Sequence, residues 1–168
     1  MPKRTVYLSM GSNLGDRAAQ LESGIAGLGQ MGEVSARSSF YETEPVEVAG
    51  EQPWYLNCVV ALETVLGPEE LLAEILALEQ SMGRRRTEPK GPRTIDIDIL
   101  LFGNLRVDTP QLTIPHPGMQ QRRFVLEPLV EIAPGVVHPV SGKTAAELLA
   151  ALPVEGGTVG KSPFSRNP

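Results

Sequence analysis

The sequence predicts an α+β domain with a ferredoxin-like βαββαβ sandwich, an antiparallel sheet with helices, followed by further C-terminal elements. One observation behind this is the order of its segments, which is strand, helix, strand, strand, helix, strand. Another is size, since 168 residues with 41% apolar content can bury one core. We therefore expect one domain over residues 1–152. Residues 153–168 are rich in Gly, Pro and Ser, and we expect a flexible tail there.

The first half of the chain places a helix between two strands. Residues 5–10 are predicted as a strand, and residues 11–15 hold two glycines typical of a turn. Asp16 suits the N-cap of a helix that should run to about residue 28, because apolar side chains recur there at helical spacing. Residues 34–41 are predicted as the second strand.

The second half begins with a polar loop at residues 43–54, which prolines interrupt and which is long enough to be a lid or binding loop. A third strand over residues 55–64 is mostly apolar, with Asn57 as its odd member. Pro68 fits the first turn of a helix that Gly83 should end. The segments after the fourth strand are predicted to be extended at 112–118, partly helical at 121–132 and helical at 144–152.

The fourth strand alternates strictly between isoleucine and aspartate. Ile95, Ile97 and Ile99 should point to one face, and Asp96 and Asp98 to the other. Two carboxylates roughly 7 Å apart on one face repel each other, so the pattern favours a bound cation. In the predicted topology this strand lies at a sheet edge, next to the first strand. The structural alternative is a half-exposed strand with a solvated acidic face.

A basic run precedes this strand. Five of the 15 Lys and Arg residues lie between positions 84 and 93. Carboxylates that suit a hard cation, beside guanidinium groups, favour a polyphosphate bridged by Mg²⁺. The alternative is a solvated charge run after a helix, where cations are favoured in any case.

The composition excludes several classes of protein. A net charge of −5 and a pI of about 5.1 argue against a general nucleic-acid binder. The single cysteine, Cys58, allows no internal disulfide and no cysteine zinc site, which favours a reducing compartment. We see no secretory signal and no apolar stretch long enough to span a membrane. We expect a cytoplasmic monomer that binds neither nucleic acid nor membrane.

Three further kinds of side chain could form a ligand site. Asn57 is a lone amide in an apolar strand, and His116 lies between two prolines, where it could donate to a phosphate or transfer a proton. Tyr55, Trp54 and Phe124 could stack on a planar ligand. The structural alternatives are a strand-end turn residue for Asn57, a structural histidine, and aromatic residues of the core.

Five motifs are typical of one known family. They are Gly-Ser-Asn-Leu-Gly-Asp at 11–16, Ser-Phe-Tyr-Glu-Thr at 39–43, Tyr-Leu-Asn at 55–57, Gly-Pro-Arg-Thr-Ile-Asp-Ile-Asp at 91–98 and Leu-Thr-Ile-Pro-His at 112–116. With them the chain resembles, over about residues 5–140, the 6-hydroxymethyl-7,8-dihydropterin pyrophosphokinases of folate biosynthesis. The run Gly-Pro-Arg-Thr-x-Asp-x-Asp is highly specific to that family.

The resemblance implies transfer of the β,γ-pyrophosphoryl group of ATP to the pterin hydroxymethyl oxygen, with release of AMP. It implies two Mg²⁺ ions held by Asp96 and Asp98, with Arg84 and Arg93 as further catalytic residues. The positions that match ATP contacts are Glu79, Arg84, Arg86, Lys90, Arg93, Ile99, Thr113 and His116. Those that match pterin contacts are Thr43, Pro45, Val46, Tyr55, Asn57, Asp96, Arg122 and Phe124.

The sequence departs from the family pattern at two places. The loop at 84–91 is one residue shorter than in well-known members, and Pro89-Lys90 stand where an arginine and an aromatic residue often precede Gly-Pro-Arg. Lys90 is the candidate to replace the missing nucleotide contact. Pro117 follows His116 where a tyrosine is common. We expect the loops at 84–93 and 43–54 to become ordered when both substrates bind.

Two other functions are compatible with parts of the pattern. A nucleic-acid-binding module on the same topology would need exposed sheet aromatics and a basic face, and the chain lacks both. A metal-dependent phosphoesterase would use the aspartate pair to activate water. Turnover of ATP distinguishes all three, because only the pyrophosphokinase makes AMP solely when the pterin is present.

Overall fold

The computed structural model describes residues 2–43, 54–83, 95–153 and 159–161 of the chain. The strands are β1 (Arg4–Ser12), β2 (Glu33–Arg37), β3 (Tyr41–Thr43), β4 (Tyr55–Thr64), β5 (Asp96–Phe102), β6 (Val107–Asp108), β7 (Thr113–Ile114) and β8 (Val159–Lys161). The α-helices are α1 (Arg17–Leu28), α2 (Pro68–Ser81), α3 (Arg123–Ile132) and α4 (Ala145–Ala150). The predicted order of elements is confirmed.

The main sheet is antiparallel, with the order β5, β1, β4, β3, β8, and β2 also pairs with β4. The strand that carries the aspartates therefore lies at one edge of the described sheet, next to β1, as predicted. A separate two-stranded sheet joins β6 and β7. The first strand continues to Ser12, two residues beyond its predicted end, so the turn begins at Asn13.

The predicted second strand, 34–41, is interrupted. β2 pairs with the second half of β4, and β3 pairs with its first three residues. Between them, Ser38 replaces part of the backbone ladder with its own side chain. Its N–H donates to the Val59 carbonyl, and its hydroxyl accepts from the Val59 N–H, each at 2.9 Å. A serine side chain that takes over a ladder bond in this way competes with the backbone pairing and interrupts the strand.

The C-terminal region differs from the predicted flexible tail. Residues 159–161 form β8, which pairs antiparallel with β3. The physical reason lies in β3, since a short strand at a sheet edge presents backbone groups that another strand can pair with. The prediction for residues 154–158 and 162–168 lies outside the described residues.

Helices cover both faces of the sheet. On one face α1 and α2 pack on apolar side chains of β1, β4 and β5 and on Ile95, which precedes β5; the strand residues include Val6, Leu8, Met10, Leu56, Cys58, Val60, Ile97 and Ile99. The alternation of the fourth strand is thus confirmed, because all three isoleucines are buried in this core. On the other face α3 and α4 pack on Val59, Leu100 and Leu101. The segment predicted as partly helical is therefore a helix that covers half of the second face.

An irregularity in β5 explains why two successive leucines lie in the same core. Leu8 is opposite Ile99, and Tyr7 is opposite Leu101, so Leu100 is an extra residue in the ladder. Its carbonyl accepts a hydrogen bond of 2.9 Å from the N–H of His116. The bulge therefore attaches the segment with the Pro-His-Pro sequence to the strand that carries the aspartates.

Candidate active site

A row of residues crosses the sheet at the end of β1. Asp96 is opposite Gly11, Gly11 is opposite Asn57, and Asn57 is opposite Tyr41. Because neighbouring strands are about 4.8 Å apart, Asp96 and Asn57 lie about 10 Å from each other, with one glycine between them. Asp98 lies one step further along β5, opposite Ser9. All these residues alternate with the buried isoleucines and their partners, so they belong to the face opposite α1 and α2.

The absence of a side chain at Gly11 leaves space above the backbone of β1 between Asp96 and Asn57. A Cβ atom at Gly11 would lie 2.6 Å from Oδ1 of Asn57 and 3.4 Å from a ring carbon of Tyr55. Such a short contact would force the amide to move. The sequence predicts a turn here, but the structure makes Gly11 a strand residue that allows the Asn57 and Tyr55 side chains to approach the backbone.

Three residues predicted to bind pterin lie together at this place. Asn57 is only 5% exposed, and its Nδ2 donates to the Thr43 hydroxyl. Thr43 is buried and is the Cα partner of Tyr55 across the ladder. The amide therefore has a fixed orientation, with one oxygen and one remaining N–H as hydrogen-bonding groups. The alternative of a strand-end turn residue is wrong for Asn57, which lies inside β4 and is paired on both sides.

His116 is held by two backbone hydrogen bonds. Its N–H donates to Leu100, and its Nδ1 accepts from the N–H of Gly118 at 3.1 Å. Burial lowers the pKa of His116, and the charge of Arg122 lowers it further, while Asp96 opposes the shift. The imidazole is therefore neutral at pH 7. Since Nδ1 is an acceptor, the proton is assigned to Nε2, which leaves one N–H donor.

Arg122 and Phe124 lie where α3 begins. The Arg122 guanidinium carbon is 5.8 Å from the centre of the Phe124 ring, a cation–π contact. A Cβ atom at Gly118 would lie 2.9 Å from Nε of Arg122, so the arginine packs over this glycine. Phe124 is half-buried against the second core, which leaves part of its ring accessible.

The predicted nucleotide contacts that the structure describes lie along β5 and β7. Glu79 is 2% exposed, and its Oε2 accepts from the Ile97 N–H at 2.7 Å, so this carboxylate attaches α2 to the edge of β5. The Ile99 side chain is buried in the first core, and a ligand could contact this residue only through its backbone. Thr113 is exposed in β7. Their roles toward ATP stay predictions.

The remaining predicted site residues lie outside the described residues. They are Pro45, Val46, Arg84, Arg86, Lys90 and Arg93.

Sequence reasoning missed an anchor on α3. The Glu131 carboxylate accepts from the Tyr41 hydroxyl at 2.6 Å, from the Ser39 hydroxyl at 2.7 Å and from the Ser39 N–H. Burial raises the pKa of Tyr41, and the bond to Glu131 raises it further. A glutamate on an amphipathic helix has no sequence signal that distinguishes it from a solvated one, because its partners lie about 90 positions away.

Two features are absent from the described part of the chain. Within these ranges, no three His, Cys, Asp or Glu side chains come together as a metal-binding group. Asp96 and Asp98 thus form a pair of half-buried carboxylates. In the same ranges no helix has the length and apolar character that crossing a bilayer requires.

Fold and site define a class of protein: an α+β sandwich with a carboxylate pair and a fixed amide on one face of its sheet. A family model described as 7,8-dihydro-6-hydroxymethylpterin-pyrophosphokinase (HPPK) matches residues 7–134. The chain belongs to this family, as the sequence predicted.

Curated relatives agree with this assignment. The chain is 44% identical over 144 residues to a 2-amino-4-hydroxy-6-hydroxymethyldihydropteridine pyrophosphokinase of Synechocystis, covering 84% of this chain and 73% of that protein. It is 42% identical to the protein of the same name from Pseudomonas aeruginosa, covering 90% and 93%. It is also 41% identical to the folic acid synthesis protein fol1 of Schizosaccharomyces pombe, covering 91% of this chain but only 21% of that protein.

Solved structures confirm the fold. The HPPK-DHPS of Plasmodium falciparum, crystallised with pteroate, superposes with a TM-score of 0.72 at 17% identity, covering 88% of this chain and 42% of that chain. The present chain thus spans less than half the length of this structural relative. At that identity the likeness supports the architecture and carries no statement about ligands.

Proposed function

We propose that this chain transfers the pyrophosphoryl group of ATP to 6-hydroxymethyl-7,8-dihydropterin, giving the pterin diphosphate and AMP. The observation that carries the proposal is the row across the sheet, in which one glycine separates the buried amide of Asn57 from the carboxylate of Asp96. A planar heterocycle bound at the amide would have its substituent near the aspartate pair. Membership of the family supports the same assignment.

The pterin end of the site would rely on hydrogen bonds and stacking. Asn57 offers an acceptor and a donor together, as the edge of a pterin ring requires. The amide is preorganised, because its other N–H is already bound to Thr43. Tyr55 and Phe124 are the aromatic rings proposed to lie against the pterin faces. Buried polar groups of this kind give specificity, since an analogue without matching groups would leave them unpaired.

The phosphate end would rely on neutralisation of charge. Asp96 and Asp98 are hard oxygen donors on one face of β5, and a pair of carboxylates suits Mg²⁺, which keeps several waters and takes substrate phosphate oxygens. They are the residues that would hold two Mg²⁺ ions, which would neutralise charge on the transferred group. His116 presents a neutral N–H donor and Arg122 a cation near the same place. Arg84, Arg86, Lys90 and Arg93 are proposed to contact the polyphosphate.

The reaction itself needs mainly positioning. The hydroxymethyl oxygen of the pterin attacks the β-phosphorus, the bond from this phosphorus to the α,β-bridging oxygen breaks, and AMP leaves while the hydroxyl proton is released. No covalent intermediate with the protein is required. The residues act by holding the acceptor oxygen in line and by stabilising negative charge as it moves. We also propose that the protein acts as a monomer in the cytoplasm.

Mass spectrometry of a reaction with ATP, Mg²⁺ and the hydroxymethyl pterin tests the proposal. We expect AMP and pterin diphosphate in equal amounts, and no AMP when the pterin is omitted. Hydrolysis of ATP without the pterin would instead indicate a phosphoesterase. Nucleic-acid binding without turnover would indicate a binding module. Size-exclusion chromatography with light scattering tests the monomeric state.

A further inference from the structure

The guanidinium of Arg17, the first residue of α1, joins three segments of the chain. It makes a bidentate salt bridge with Glu42, in which both nitrogen–oxygen distances are 2.7 Å. Its Nη1 also donates to the backbone carbonyl of Trp54 at 2.9 Å. The two side chains of the pair are 22% and 27% exposed, so the bond is partly shielded from water and stronger than an open surface pair.

These contacts lie directly beside the proposed pterin site. Glu42 precedes Thr43 in β3, and Trp54 precedes Tyr55 at the start of β4. Thr43 and Tyr55 are Cα partners and form the last pair of the ladder that joins these two strands. One guanidinium therefore links the C-terminal end of β3 to the residue that precedes β4. It fixes the position of the residue whose hydroxyl accepts from Asn57.

The position of Arg17 at the start of α1 does not stabilise that helix. A cation in the first turn of a helix faces the positive end of the helix dipole, which is unfavourable. The N-cap carboxylate of Asp16, which accepts from the Ala19 N–H, offsets part of this cost, but the first turn itself contains no acidic residue. A residue that breaks a local rule in this way is expected to serve another part of the structure. In this case the partners are Glu42 and the Trp54 carbonyl.

Arg17 acts from the side of the sheet opposite the site. Glu42 alternates with Tyr41 and Thr43, so its side chain belongs to the face of α1, whereas Asn57 and Asp96 belong to the other face. The guanidinium therefore has no route to a ligand bound at Asn57. Its effect on the site must pass through the backbone of β3 and the first residues of β4.

We propose that Arg17 is a positioning residue for the pterin site, which it holds in register through Glu42 and Trp54. This inference rests on the proposed function. Without the guanidinium, Glu42 and the Trp54 carbonyl lose the group that links them beside the Thr43–Tyr55 ladder pair, and Thr43 is held less firmly against Asn57. Pterin binding then weakens, while ATP, which is proposed to lie along β5 two strands away, binds as before.

The chain offers a matched control on the same helix. Arg37 makes a bidentate bond to Glu22 of α1, with both distances 2.9 Å and side chains 25% and 39% exposed. This pair links α1 to β2. In the predicted second strand, β2 is the part that precedes the interruption at Ser38, so the pair does not contact Thr43 or Tyr55. Loss of either pair removes one Arg–Glu salt bridge between α1 and a strand, which is β3 for the Arg17 pair and β2 for the Arg37 pair. Only loss of the first should change the pterin site.

The experiment compares Arg17→Ala, Glu42→Gln and Arg37→Ala with the unaltered protein in steady-state kinetics with each substrate varied and in thermal unfolding. We expect Arg17→Ala to raise the KM for the pterin roughly tenfold and leave the KM for ATP within about twofold. Glu42→Gln should act in the same direction, and Arg37→Ala should change neither KM. Arg17→Ala combined with Glu42→Gln should be no worse than the larger single effect, because the two residues act as a unit.

The inference is overturned if Arg17→Ala and Arg37→Ala have equal effects, or if Arg17→Ala weakens ATP and pterin alike. Where Arg17→Ala is too unstable for kinetics, Arg17→Lys is the second variant. Lysine keeps the positive charge but cannot form the bidentate bond to Glu42. An unchanged KM for the pterin in Arg17→Lys would also overturn the proposal. If the unaltered protein makes no AMP with the pterin, the proposed function itself fails. That outcome is distinct from an active protein whose variants behave alike.

Discussion

On the face of the sheet toward α1 and α2, strands β1, β4 and β5 present Leu8, Leu56 and Ile97, all buried in the first core. On the opposite face the same strands present polar residues at the site, among them Asn57 and Asp96. Residues adjacent in sequence therefore have different roles, one in the core and the next at the candidate site. At this end of the sheet, the face toward α1 and α2 stabilises the fold by burying apolar surface, and the opposite face carries the residues proposed for the chemistry. Substitutions one residue apart should separate stability from activity.

The largest expected effect is on the reactive face. Asp96→Ala and Asp98→Ala should each lower turnover by roughly 10³-fold, about 4 kcal/mol of barrier, because the carboxylates proposed to hold Mg²⁺ are lost. The midpoint of thermal unfolding should change little, since each removal relieves repulsion within the pair. Rate measurements at increasing Mg²⁺ check this. Near-normal turnover of either variant at saturating Mg²⁺ would contradict the metal assignment.

The residue between these aspartates should behave in the opposite way. Ile97→Ala removes a side chain that is 5% exposed from the first core, and we expect it to lower the free energy of unfolding by about 2–5 kcal/mol. Its backbone N–H, and thus the bond to Glu79, is retained. Denaturant unfolding measures the loss, and kinetics below the transition should give KM values close to those of the unaltered protein. A large change in either KM would show that the two faces are not independent.

A smaller effect is expected at the amide. Asn57→Ala should weaken pterin binding by about 1–3 kcal/mol, because donors and acceptors of the ring would be left unpaired. ATP binding should be nearly unchanged. Calorimetry with each ligand separately provides the comparison. Equal weakening of both ligands would indicate a general disturbance of the sheet.

A still smaller effect on pterin binding is expected from a single methyl group added at Gly11. Gly11→Ala places Cβ 2.6 Å from the Asn57 amide oxygen, and we expect the displaced amide to raise the pterin KM several-fold, about 1 kcal/mol. Gly135→Ala is the control, because nothing lies within 4 Å of a Cβ atom at that position. The same KM for the two variants would show that the close approach at Gly11 has no role in binding.

The smallest effect concerns stability on the second face, remote from the row. His138 is buried in the segment that connects α3 to α4, where its Nδ1 accepts from the N–H groups of Val140 and Ser141, and burial lowers its pKa. The folded state thus binds fewer protons than the unfolded state. This stability is fully present above the unfolded pKa of about 6.5 and is lost as the pH falls through the folded pKa.

The check is denaturant unfolding at several pH values between 5 and 8 for the protein and for His138→Asn. We expect the free energy of unfolding of the unaltered protein to fall more steeply on acidification, because the variant lacks this titration. His116 titrates in both proteins and cancels in the difference. Identical slopes would contradict the assignment.

The sequence predicted most of what depends on local pattern. The period of two placed Asp96 on the face opposite Ile97, and the apolar run around Asn57 predicted the strand in which that amide lies. The break between β2 and β3 was missed, because Ser38 is an ordinary strand residue until its hydroxyl takes a ladder bond from Val59. Contacts between distant segments leave no local signal. The bonds of Arg17 to Glu42 and of Glu131 to Tyr41 therefore required the structure.

The bond from Glu79 to Ile97 has a consequence for the behaviour of the protein at high concentration. β5 ends the described part of the sheet on one side, and an edge strand of this kind is a template to which another chain can add. The buried carboxylate occupies the Ile97 N–H, which an incoming strand would need. The same glutamate that joins α2 to the sheet therefore protects the protein against aggregation along this edge.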